Sequence, residues 1–350
     1  MSSQASSVAS SVVSKTALAQ HQHELIGNTP LLKIPSLSSL SGSDIFIKCE
    51  YFNPGGSIKD RAALRMVQEA IESGELRPGM TIIEGTAGNT GIGLAVVGKS
   101  LGYAVKVVMP RGQTPEKEQM IALHGAELHL VDAVPFKNEN HFYHTARRIA
   151  EENPEKYWWA NQFENLANYR AHYTTTGPEI HAQTEQQLDV LVAAAGTGGT
   201  LAGTSDYLKS QLPDLKVVLA DPGGSGLKHF LEHGDFVATG SSITEGIGIM
   251  RLVENFKKAK VDQAINLHDQ ALVSVAYHVQ QADGILLGSS SALNVATALY
   301  EAVKGPKGRR LVTFACDLGE RSRSKLFNAD FLASKDLDPT LSLEALMADW

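Results

Sequence analysis

The sequence predicts an α/β fold with two domains, each built on a central, mostly parallel twisted sheet flanked by helices. The chain has 350 residues, which is about twice the size of an ordinary domain. Short runs rich in β-branched residues alternate with helical patterns along nearly the whole chain, as in βαβ units. Several of these runs are continuously apolar, which is typical of strands buried on both faces of a parallel sheet.

Eight segments are predicted as strands from this pattern. They are residues 45–50, 81–86, 104–110, 127–131, 158–162, 190–195, 216–221 and 310–317. Two helices have readable ends. One is predicted from Lys59 to Ser73, with Ser57 as its candidate N-cap and Gly74 as its C-terminal stop. Another begins at Pro115 and is closed by Gly125.

The composition argues against a nucleic-acid-binding or membrane protein. The formal net charge is −7, whereas binding to phosphate backbones needs a basic face. The longest apolar runs fall well short of the ~18 residues of a membrane span. The two cysteines, Cys49 and Cys316, stand far apart and match neither a metal motif nor a disulfide framework. We expect no metal site and a cytoplasmic location, where thiols stay reduced.

Four parts are predicted along the chain. Residues 1–22 are expected to form a flexible Ser-rich tail, because the first 20 residues are Ser/Ala-rich and lack the Arg-rich pattern of a transit peptide. Residues 23–165 are predicted as an N-terminal α/β domain, whose first part packs on the other domain. Residues 166–332 are predicted as a C-terminal α/β domain, and 333–350 as a loosely attached tail.

A lysine stands in the first turn of a predicted helix, within Asn-Pro-Gly-Gly-Ser-Ile-Lys-Asp-Arg at 53–61. A helix N-terminus already carries about half a positive charge, so an ammonium group there is disfavoured. An amine with a lowered pKa, or a neutral imine, suits the position better. The local pattern by itself nevertheless favours the alternative that Lys59 is an ordinary solvated lysine.

A second segment, Glu-Gly-Thr-Ala-Gly-Asn-Thr-Gly-Ile-Gly at 84–93, follows a predicted strand and opens a helix. Backbone N–H groups and hydroxyls at such a turn suit a carboxylate or a phosphate. A glycine-rich loop that only allows a tight turn is an equally good interpretation of this segment alone.

A third segment, Gly-Thr-Gly-Gly-Thr-Leu-Ala-Gly at 196–203, follows another apolar strand. Its free N–H groups and two threonine hydroxyls would cradle a phosphate. The alternative is a dinucleotide site with Asp221 as the ribose-binding acid, but the glycine spacing does not match that fingerprint.

A fourth segment, Gly-Ser-Ser-Ser-Ala at 288–292, precedes a helical pattern. Alone it is a cluster of N-cap residues. Beside a pyridine ring, one of its serines could offer a neutral hydroxyl to the ring nitrogen.

Taken in this order, the segments resemble the fold-type II pyridoxal-phosphate enzymes, which share the fold of the tryptophan synthase β-chain. The resemblance is specifically to the cysteine synthase (O-acetylserine sulfhydrylase) and cystathionine β-synthase family, and it runs from about residue 24 to about 327. Five motifs carry it: Gly-Asn-Thr-Pro-Leu at 27–31, Gly-Gly-Ser-Ile-Lys-Asp-Arg at 55–61, Thr-Ala-Gly-Asn-Thr-Gly at 86–91, Thr-Thr-Gly-Pro-Glu-Ile at 175–180 and Gly-Thr-Gly-Gly-Thr at 196–200.

The resemblance implies a site for pyridoxal 5′-phosphate, with Lys59 as the catalytic residue that carries it as a Schiff base. Asn89 would bond its phenolic oxygen, and Ser290 would face its pyridine nitrogen, with Ser289 and Ser291 as alternatives. The implied cofactor-binding residues are Lys59, Asn89, Gly196, Thr197, Gly198, Gly199, Thr200 and Ser290. The implied substrate-binding residues are Thr86, Ala87, Gly88, Asn89, Thr90, Gln162, Gly246, Ile247 and Gly248.

The reaction implied is a β-replacement that forms L-cysteine from O-acetyl-L-serine and sulfide through an α-aminoacrylate intermediate, with Lys59 as the base. Cystathionine β-synthase, or another β-substituted alanine synthase such as an O-phosphoserine sulfhydrylase, is the alternative within this chemistry. Two alternatives belong to other functional classes: a nucleotide-dependent dehydrogenase, and a non-catalytic protein built on the same fold. Ala87 replaces a more frequent serine, and Arg251 is a candidate contact for an anionic substrate, unless it is solvated or salt-bridged.

The partners follow from the same resemblance. It implies a small amino-acid substrate with sulfide or a thiol, a homodimer and, in some members, association with serine acetyltransferase. Neither nucleic acid nor a membrane is expected as a partner.

Overall fold

The computed structural model describes residues 18–86 and 88–350. Most of the predicted tail at 1–22, and Ala87 in the candidate substrate loop, therefore lie outside the described residues. Within them, ten strands form two sheets. The strands are β1 (Leu31–Lys33), β2 (Asp44–Cys49), β3 (Thr81–Gly85), β4 (Ala104–Pro110), β5 (Glu127–Val131), β6 (Tyr157–Trp159), β7 (Val190–Ala194), β8 (Lys216–Asp221), β9 (Gln263–Asn266) and β10 (Arg310–Ala315).

Thirteen α-helices connect and cover these strands in the described part of the chain. They are α1 (Pro35–Ser41), α2 (Lys59–Ser73), α3 (Asn89–Ser100), α4 (Pro115–Leu123), α5 (Phe142–Glu152), α6 (Ala167–Ala171), α7 (Gly177–Gln183), α8 (Gly199–Gln211), α9 (Leu227–His233), α10 (Asp269–Asp283), α11 (Ser289–Lys304), α12 (Ala329–Ala333) and α13 (Leu343–Ala348). Short 3₁₀ turns and one π-helical turn, His172–Thr176, complete the regular structure.

The predicted α/β fold class is confirmed, and all eight predicted strands are present. β6 starts one residue earlier than predicted and ends three residues earlier, because the chain turns at Asn161, which has a positive φ of 49°. β1 and β9 were not predicted, since three or four residues are too few for a period to show. Helix α2 has the predicted bounds and ends at Gly74, whose φ is 77°. Ser57, however, is not its N-cap: that position is Ile58, and the Ser57 hydroxyl instead accepts the Lys59 backbone N–H at 3.3 Å.

The larger sheet has the strand order β1-β2-β10-β7-β8-β9, and the smaller sheet the order β5-β4-β3-β6. Every neighbouring pair is parallel except β1 with β2. The first two strands in the described part of the chain, β1 and β2, therefore belong to the same sheet as β10, the last one. The residue boundaries of the two domains stay a prediction.

Helices cover both faces of each sheet, which explains the continuous apolar runs. In β7, Val190 and Val192 pack in a core with α10 and α11, whereas Leu191 and Ala193 pack in a second core with α8. In the smaller sheet, the core on one face is built with α2 and α3, and the core on the other face with α5.

A buried ionic cluster joins three of the five sequence motifs. Arg61 donates to Glu50 and to Glu179, in each case at 2.7 Å. Lys48 also donates to Glu179 at 2.7 Å, and the Thr29 hydroxyl donates to Glu50 at 2.7 Å. Two cations and two carboxylates balance in this cluster, so its members are paired rather than left as isolated buried charges. Through these contacts, residues of three motifs, Thr29, Arg61 and Glu179, connect segments that are far apart in the sequence.

The C-terminal segment is not loosely attached, so that expectation is wrong. Leu337, Leu343 and Leu346 are buried in the same core as α10 and α11. The Trp350 ring lies edge-on to Tyr300, 5.2 Å between centroids. Leu343 and Leu346 lie three positions apart on α13, so they face the same side of that helix.

Among the residues described, none of the helices combines the length and apolarity needed to cross a bilayer. The same residues contain no group of three or more His, Cys, Asp or Glu side chains placed to hold a metal ion.

Candidate active site

Residues predicted from sequence for cofactor and substrate meet in one cavity beside the carboxyl ends of β3, β7 and β10. Ligands in open α/β sheets bind at this edge, because loops that follow parallel strands converge there. The predicted residues that line the cavity are Lys59, Thr86, Gly88, Asn89, Thr90, Gln162, Gly196, Thr197, Gly198, Thr200, Gly246, Ile247, Gly248 and Ser290. Gly199 lies behind this lining as the first residue of α8, and Ala87 is outside the described residues.

Lys59 is the first residue of α2, and its side chain lines the cavity. Burial lowers the pKa of its amine, and the nearby Cys316 and Asp317 oppose this shift without cancelling it. A lowered pKa increases the share of the neutral amine, which is the form that acts as a nucleophile and a base. The alternative of a solvated surface lysine is therefore wrong.

The loop after β3 places hydroxyl and N–H groups along one wall of the cavity. Thr90 donates to the Gln162 side-chain oxygen at 2.6 Å, and the Gln162 amide donates to the Gly85 carbonyl at 3.3 Å. Gly88 has a φ of 151°, and a Cβ at this position would lie 2.5 Å from Cδ of Lys117. The loop thus requires glycine there. Helix α3 begins directly after it, so its first N–H groups can receive a carboxylate.

Glu84 lies at the end of β3, fully buried behind this wall. Burial raises the pKa of its carboxyl to about 8, so the group is protonated at neutral pH. Its Oε1 accepts the backbone N–H of Gln162 at 3.4 Å. Glu84 was not predicted as a site residue, although an acid within the apolar run Thr-Ile-Ile-Glu-Gly was a visible signal.

The glycines after β7 form a cradle that side chains would fill. A Cβ on Gly196 would lie 2.2 Å from the Gly246 carbonyl oxygen, and one on Gly199 would lie 2.1 Å from Oδ1 of Asn168. Helix α8 starts at Gly199, so the positive end of its dipole and its free N–H groups are at this cradle. Such an arrangement suits a phosphate.

Two buried side chains orient the threonines of this cradle. The Asn168 amide donates to the Thr197 hydroxyl at 2.8 Å, and the His172 Nε2 lies 3.1 Å from the Thr200 hydroxyl. Burial and the Arg61 charge lower the pKa of His172 to about 3, so its ring is neutral. Neither Asn168 nor His172 was predicted as a site residue, because no sequence signal connects them to a loop about 28 residues later.

The amide of Asn89 is held in one orientation by two charged residues. Its nitrogen donates to Asp317 Oδ2 at 2.6 Å, and its oxygen accepts from Arg321 at 2.8 Å. Oδ1 of Asp317 is buried and has no hydrogen-bond partner within the described residues. One N–H of Asn89 is therefore committed to Asp317, which leaves the other for a ligand.

Ser290 is the one of the three consecutive serines that lines the cavity. The Ser291 hydroxyl instead donates to the Asp317 carbonyl at 3.0 Å, and Ser289 uses its backbone N–H to bond Ser322. Cys316 also lines the cavity, and burial raises the pKa of its thiol to about 12, so it stays protonated. The groups at this end of the cavity are thus neutral.

Arg251 and Asp221, the other two candidates, are engaged elsewhere. Arg251 pairs with Glu164 and faces the rings of Phe136, Tyr143 and Phe163, with 4.6 to 5.3 Å from its guanidinium carbon to their centroids. Asp221 accepts the Lys228 backbone N–H at 2.8 Å. Neither residue lines the cavity, so the salt-bridged interpretation of Arg251 applies.

The cavity fits the chemical requirements of pyridoxal phosphate. It offers a buried amine for the aldehyde, a glycine cradle that excludes side chains for the phosphate, and a neutral hydroxyl in place of a carboxylate for the ring nitrogen. Asn89 lines the same cavity as Lys59 and has one N–H left for the cofactor. These groups come from elements far apart in the chain, and the fold brings them to one place.

Comparison with known proteins agrees with a site for pyridoxal phosphate. A sequence model of the family described as pyridoxal-phosphate dependent enzyme matches residues 23–317. Cysteine synthase 2 of Schizosaccharomyces pombe is 44% identical over 336 residues, which cover 90% of this chain and 85% of that protein.

Solved structures agree. O-acetyl serine sulfhydrylase isoform 3 from Entamoeba histolytica superposes with a TM-score of 0.83 at 32% identity, covering 96% of this chain and 97% of that one. An O-acetylserine dependent cystathionine β-synthase from Helicobacter pylori gives a TM-score of 0.79 at 31% identity, covering 88% and 98%.

Proposed function

Because the chain belongs to the cysteine synthase and cystathionine β-synthase family of pyridoxal-phosphate dependent enzymes, we propose that it forms L-cysteine from O-acetyl-L-serine and sulfide. The observation that carries this proposal is the position of Lys59. Its half-buried side chain, whose amine has a lowered pKa, lies in one cavity with a loop suited to a carboxylate and a cradle suited to a phosphate. Family membership also removes the dehydrogenase interpretation of the glycine-rich loop at 196–203.

The cofactor would be held by residues of both sheets. Lys59 would bind its aldehyde carbon, the cradle from Gly196 to Thr200 would bind its phosphate, and Asn89 would donate its free N–H to the phenolic oxygen. Ser290 would offer the ring nitrogen a neutral hydroxyl. An aspartate in its place would keep the ring nitrogen protonated and make the ring a stronger electron sink. The weaker sink beside Ser290 suits removal of the α-proton followed by prompt β-elimination. When bound, pyridoxal phosphate supplies the electron sink that makes the α-proton of the substrate removable.

The remaining steps fall to side chains of this protein. The loop from Thr86 to Thr90, together with Gln162, binds the α-carboxylate and fixes the substrate's orientation. The Lys59 amine, free once the substrate amine has taken its place, takes the proton from the α-carbon, and the Cβ–O bond breaks as acetate leaves. Sulfide then forms the Cβ–S bond, and Lys59 returns the proton to the α-carbon. Gly246, Ile247 and Gly248 close the cavity on the side of the substrate amine.

Cystathionine β-synthase activity is the second candidate. It is favoured by the similarity to the Helicobacter pylori structure, which is named for that activity with O-acetylserine as donor. With O-acetylserine as the donor, the two activities differ only in the sulfur nucleophile that attacks the β-carbon.

A homodimer, association with serine acetyltransferase and a cytoplasmic location are further proposals that rest on the family resemblance and on composition. Light scattering of the purified protein, alone and mixed with serine acetyltransferase, tests both associations.

Turnover of three donors with two acceptors tests the reaction. O-acetylserine, O-phosphoserine and serine are each combined with sulfide or homocysteine, and product formation and acetate release are measured. We expect the highest kcat/KM for O-acetylserine with sulfide, and parallel double-reciprocal plots, because acetate leaves before sulfide reacts. Rapid turnover only with homocysteine would favour the second candidate.

A further inference from the structure

Three charged residues form a cluster at the mouth of the cavity, here called the mouth triad: Lys117, Glu245 and Lys325. Lys117 Nζ lies 2.5 Å from Glu245 Oε2, and Lys325 Nζ lies 2.5 Å from Glu245 Oε1. The side chains of Lys117 and Glu245 are only 5% and 8% exposed. Lys117 comes from α4 near the smaller sheet, whereas Glu245 directly precedes Gly246.

The mouth triad has a surplus positive charge, because two ammonium groups share one carboxylate. Among the described residues, the other hydrogen-bond partner of the Glu245 side chain is the neutral Thr114 hydroxyl, at 3.2 Å. Glu116, the acid adjacent to Lys117 in sequence, is engaged instead by Ser324 and lies 3.7 Å from Arg323. Partial burial increases the reach of this surplus charge, since solvent screens it less.

Lys117 is placed to act on a bound substrate. Lys117 and Glu245 both line the cavity. The Lys117 methylenes lie against the substrate loop so closely that a Cβ on Gly88 would meet Cδ at 2.5 Å. Arg251, by contrast, lies outside the lining and is paired with Glu164.

We propose that Lys117 is a specificity-determining residue that binds a second negative group on a substrate, beyond the α-carboxylate, and that Glu245 opposes it. The group would be either an anionic substituent on the donor's β-carbon, as in O-phosphoserine, or the carboxylate of a thiol acceptor. Both present oxygen anions that an ammonium group binds well. This inference rests on the proposed β-replacement reaction and names the substrates that the mouth of its cavity selects.

A structural role makes a different prediction. If the mouth triad only tied α4 to the loop before Gly246, removal of either partner would loosen the same contact. Both variants would then change selectivity in the same direction or leave it unchanged. A charge-selective role requires opposite effects, because Lys117→Gln removes a positive charge and Glu245→Gln removes a negative one.

The test compares holoenzymes of the wild type, Lys117→Gln, Glu245→Gln and the control Arg251→Gln. On the donor side, the ratio of kcat/KM for O-phosphoserine to that for O-acetylserine is measured with sulfide. On the acceptor side, 3-mercaptopropionate is compared with 2-mercaptoethanol, with O-acetylserine as donor. A compound that is not turned over is measured as an inhibitor of the reaction of O-acetylserine with sulfide, so that its Ki replaces kcat/KM.

Lys117→Gln should lower the preference for the anionic compound about tenfold on one of the two sides, and Glu245→Gln should raise it, since a lost ammonium–anion contact typically has this effect. Arg251→Gln should leave both ratios unchanged. The side that responds identifies whether the phosphate ester or the thiol carboxylate is the ligand. Equal or same-sign changes in the two triad variants would overturn the inference alone. Absence of turnover by the wild type with every donor, together with a colourless protein, would overturn the proposed function and the inference with it.

Discussion

Replacing Glu179 with glutamine removes one of two carboxylates from the buried ionic cluster that joins the sequence motifs. Glu179 accepts from Arg61 through both of its oxygens and from Lys48, all at 2.7 Å. Burial disfavours the charged form of Glu179, but hydrogen bonds and charge from Arg61 outweigh it, and the pKa falls to about 2. The variant leaves Arg61 paired with Glu50 and leaves Lys48 without an ion-pair partner among the described residues.

The magnitude follows from the pKa. A fall from 4.5 to about 2 corresponds to about 3 kcal/mol in favour of the charged form in the folded protein. Breaking a buried ion pair by removal of one partner costs roughly 3–5 kcal/mol by comparison. The two values agree, so we expect Glu179→Gln to lower the free energy of unfolding by about 3 kcal/mol.

Urea unfolding followed by circular dichroism and tryptophan fluorescence measures this loss. The matched control is Glu155→Gln, because Glu155 is 84% exposed in its ion pair with Arg77, and exposed pairs contribute only about 0–1 kcal/mol. The pKa of Glu179 is depressed on folding, so its contribution is present above the unfolded pKa near 4.5 and is lost as pH falls toward about 2. Equal midpoints for the two variants would refute the assignment of stability to the buried cluster.

Two further predictions concern residues that the sequence did not assign to the site. The pKa of Glu84 is raised to about 8, so its contribution to stability is complete below the unfolded pKa near 4.5 and is lost as pH rises through about 8. The thermal midpoint of the wild type should therefore decline between pH 5 and 8, and Glu84→Gln should flatten this decline. An unchanged slope in the variant would contradict the burial argument. Asp317→Asn should weaken pyridoxal phosphate binding about tenfold, as expected when a charge-assisted hydrogen bond to Asn89 is lost. Equilibrium dialysis of the cofactor measures this directly, and wild-type affinity would show that Asp317 does not position Asn89.

Most of the fold could be predicted from local patterns, because buried parallel strands are continuous apolar runs with turn residues at their ends. The strand from 104 to 110 and the helix from Lys59 to Ser73 have the predicted bounds. The family and the cofactor class were likewise predicted from motifs and are confirmed by the comparisons. β1 and β9 were missed for want of length, and the C-terminal segment because its three buried leucines are spaced too irregularly to form a pattern.

The parts of the site that could not be predicted depend on contacts between distant residues. Asn89 and Asp317 are separated by 228 positions, yet their side chains bond at 2.6 Å. Arg251 was a candidate for anion binding until the fold placed it against Glu164 and three aromatic rings. Lys117 showed no motif, and only its position beside Gly88 and Glu245 indicates a role.

The most direct test of the central assignment is to locate the lysine that carries pyridoxal phosphate. The purified protein is reduced with borohydride, digested, and mapped by mass spectrometry, and its visible spectrum is recorded before reduction and after addition of O-acetylserine. We predict a yellow protein whose spectrum changes with O-acetylserine, a cofactor adduct on the peptide containing Lys59, and loss of both the adduct and the response in Lys59→Ala. A colourless protein, or an adduct on another lysine such as Lys117 or Lys48, would contradict the assignment.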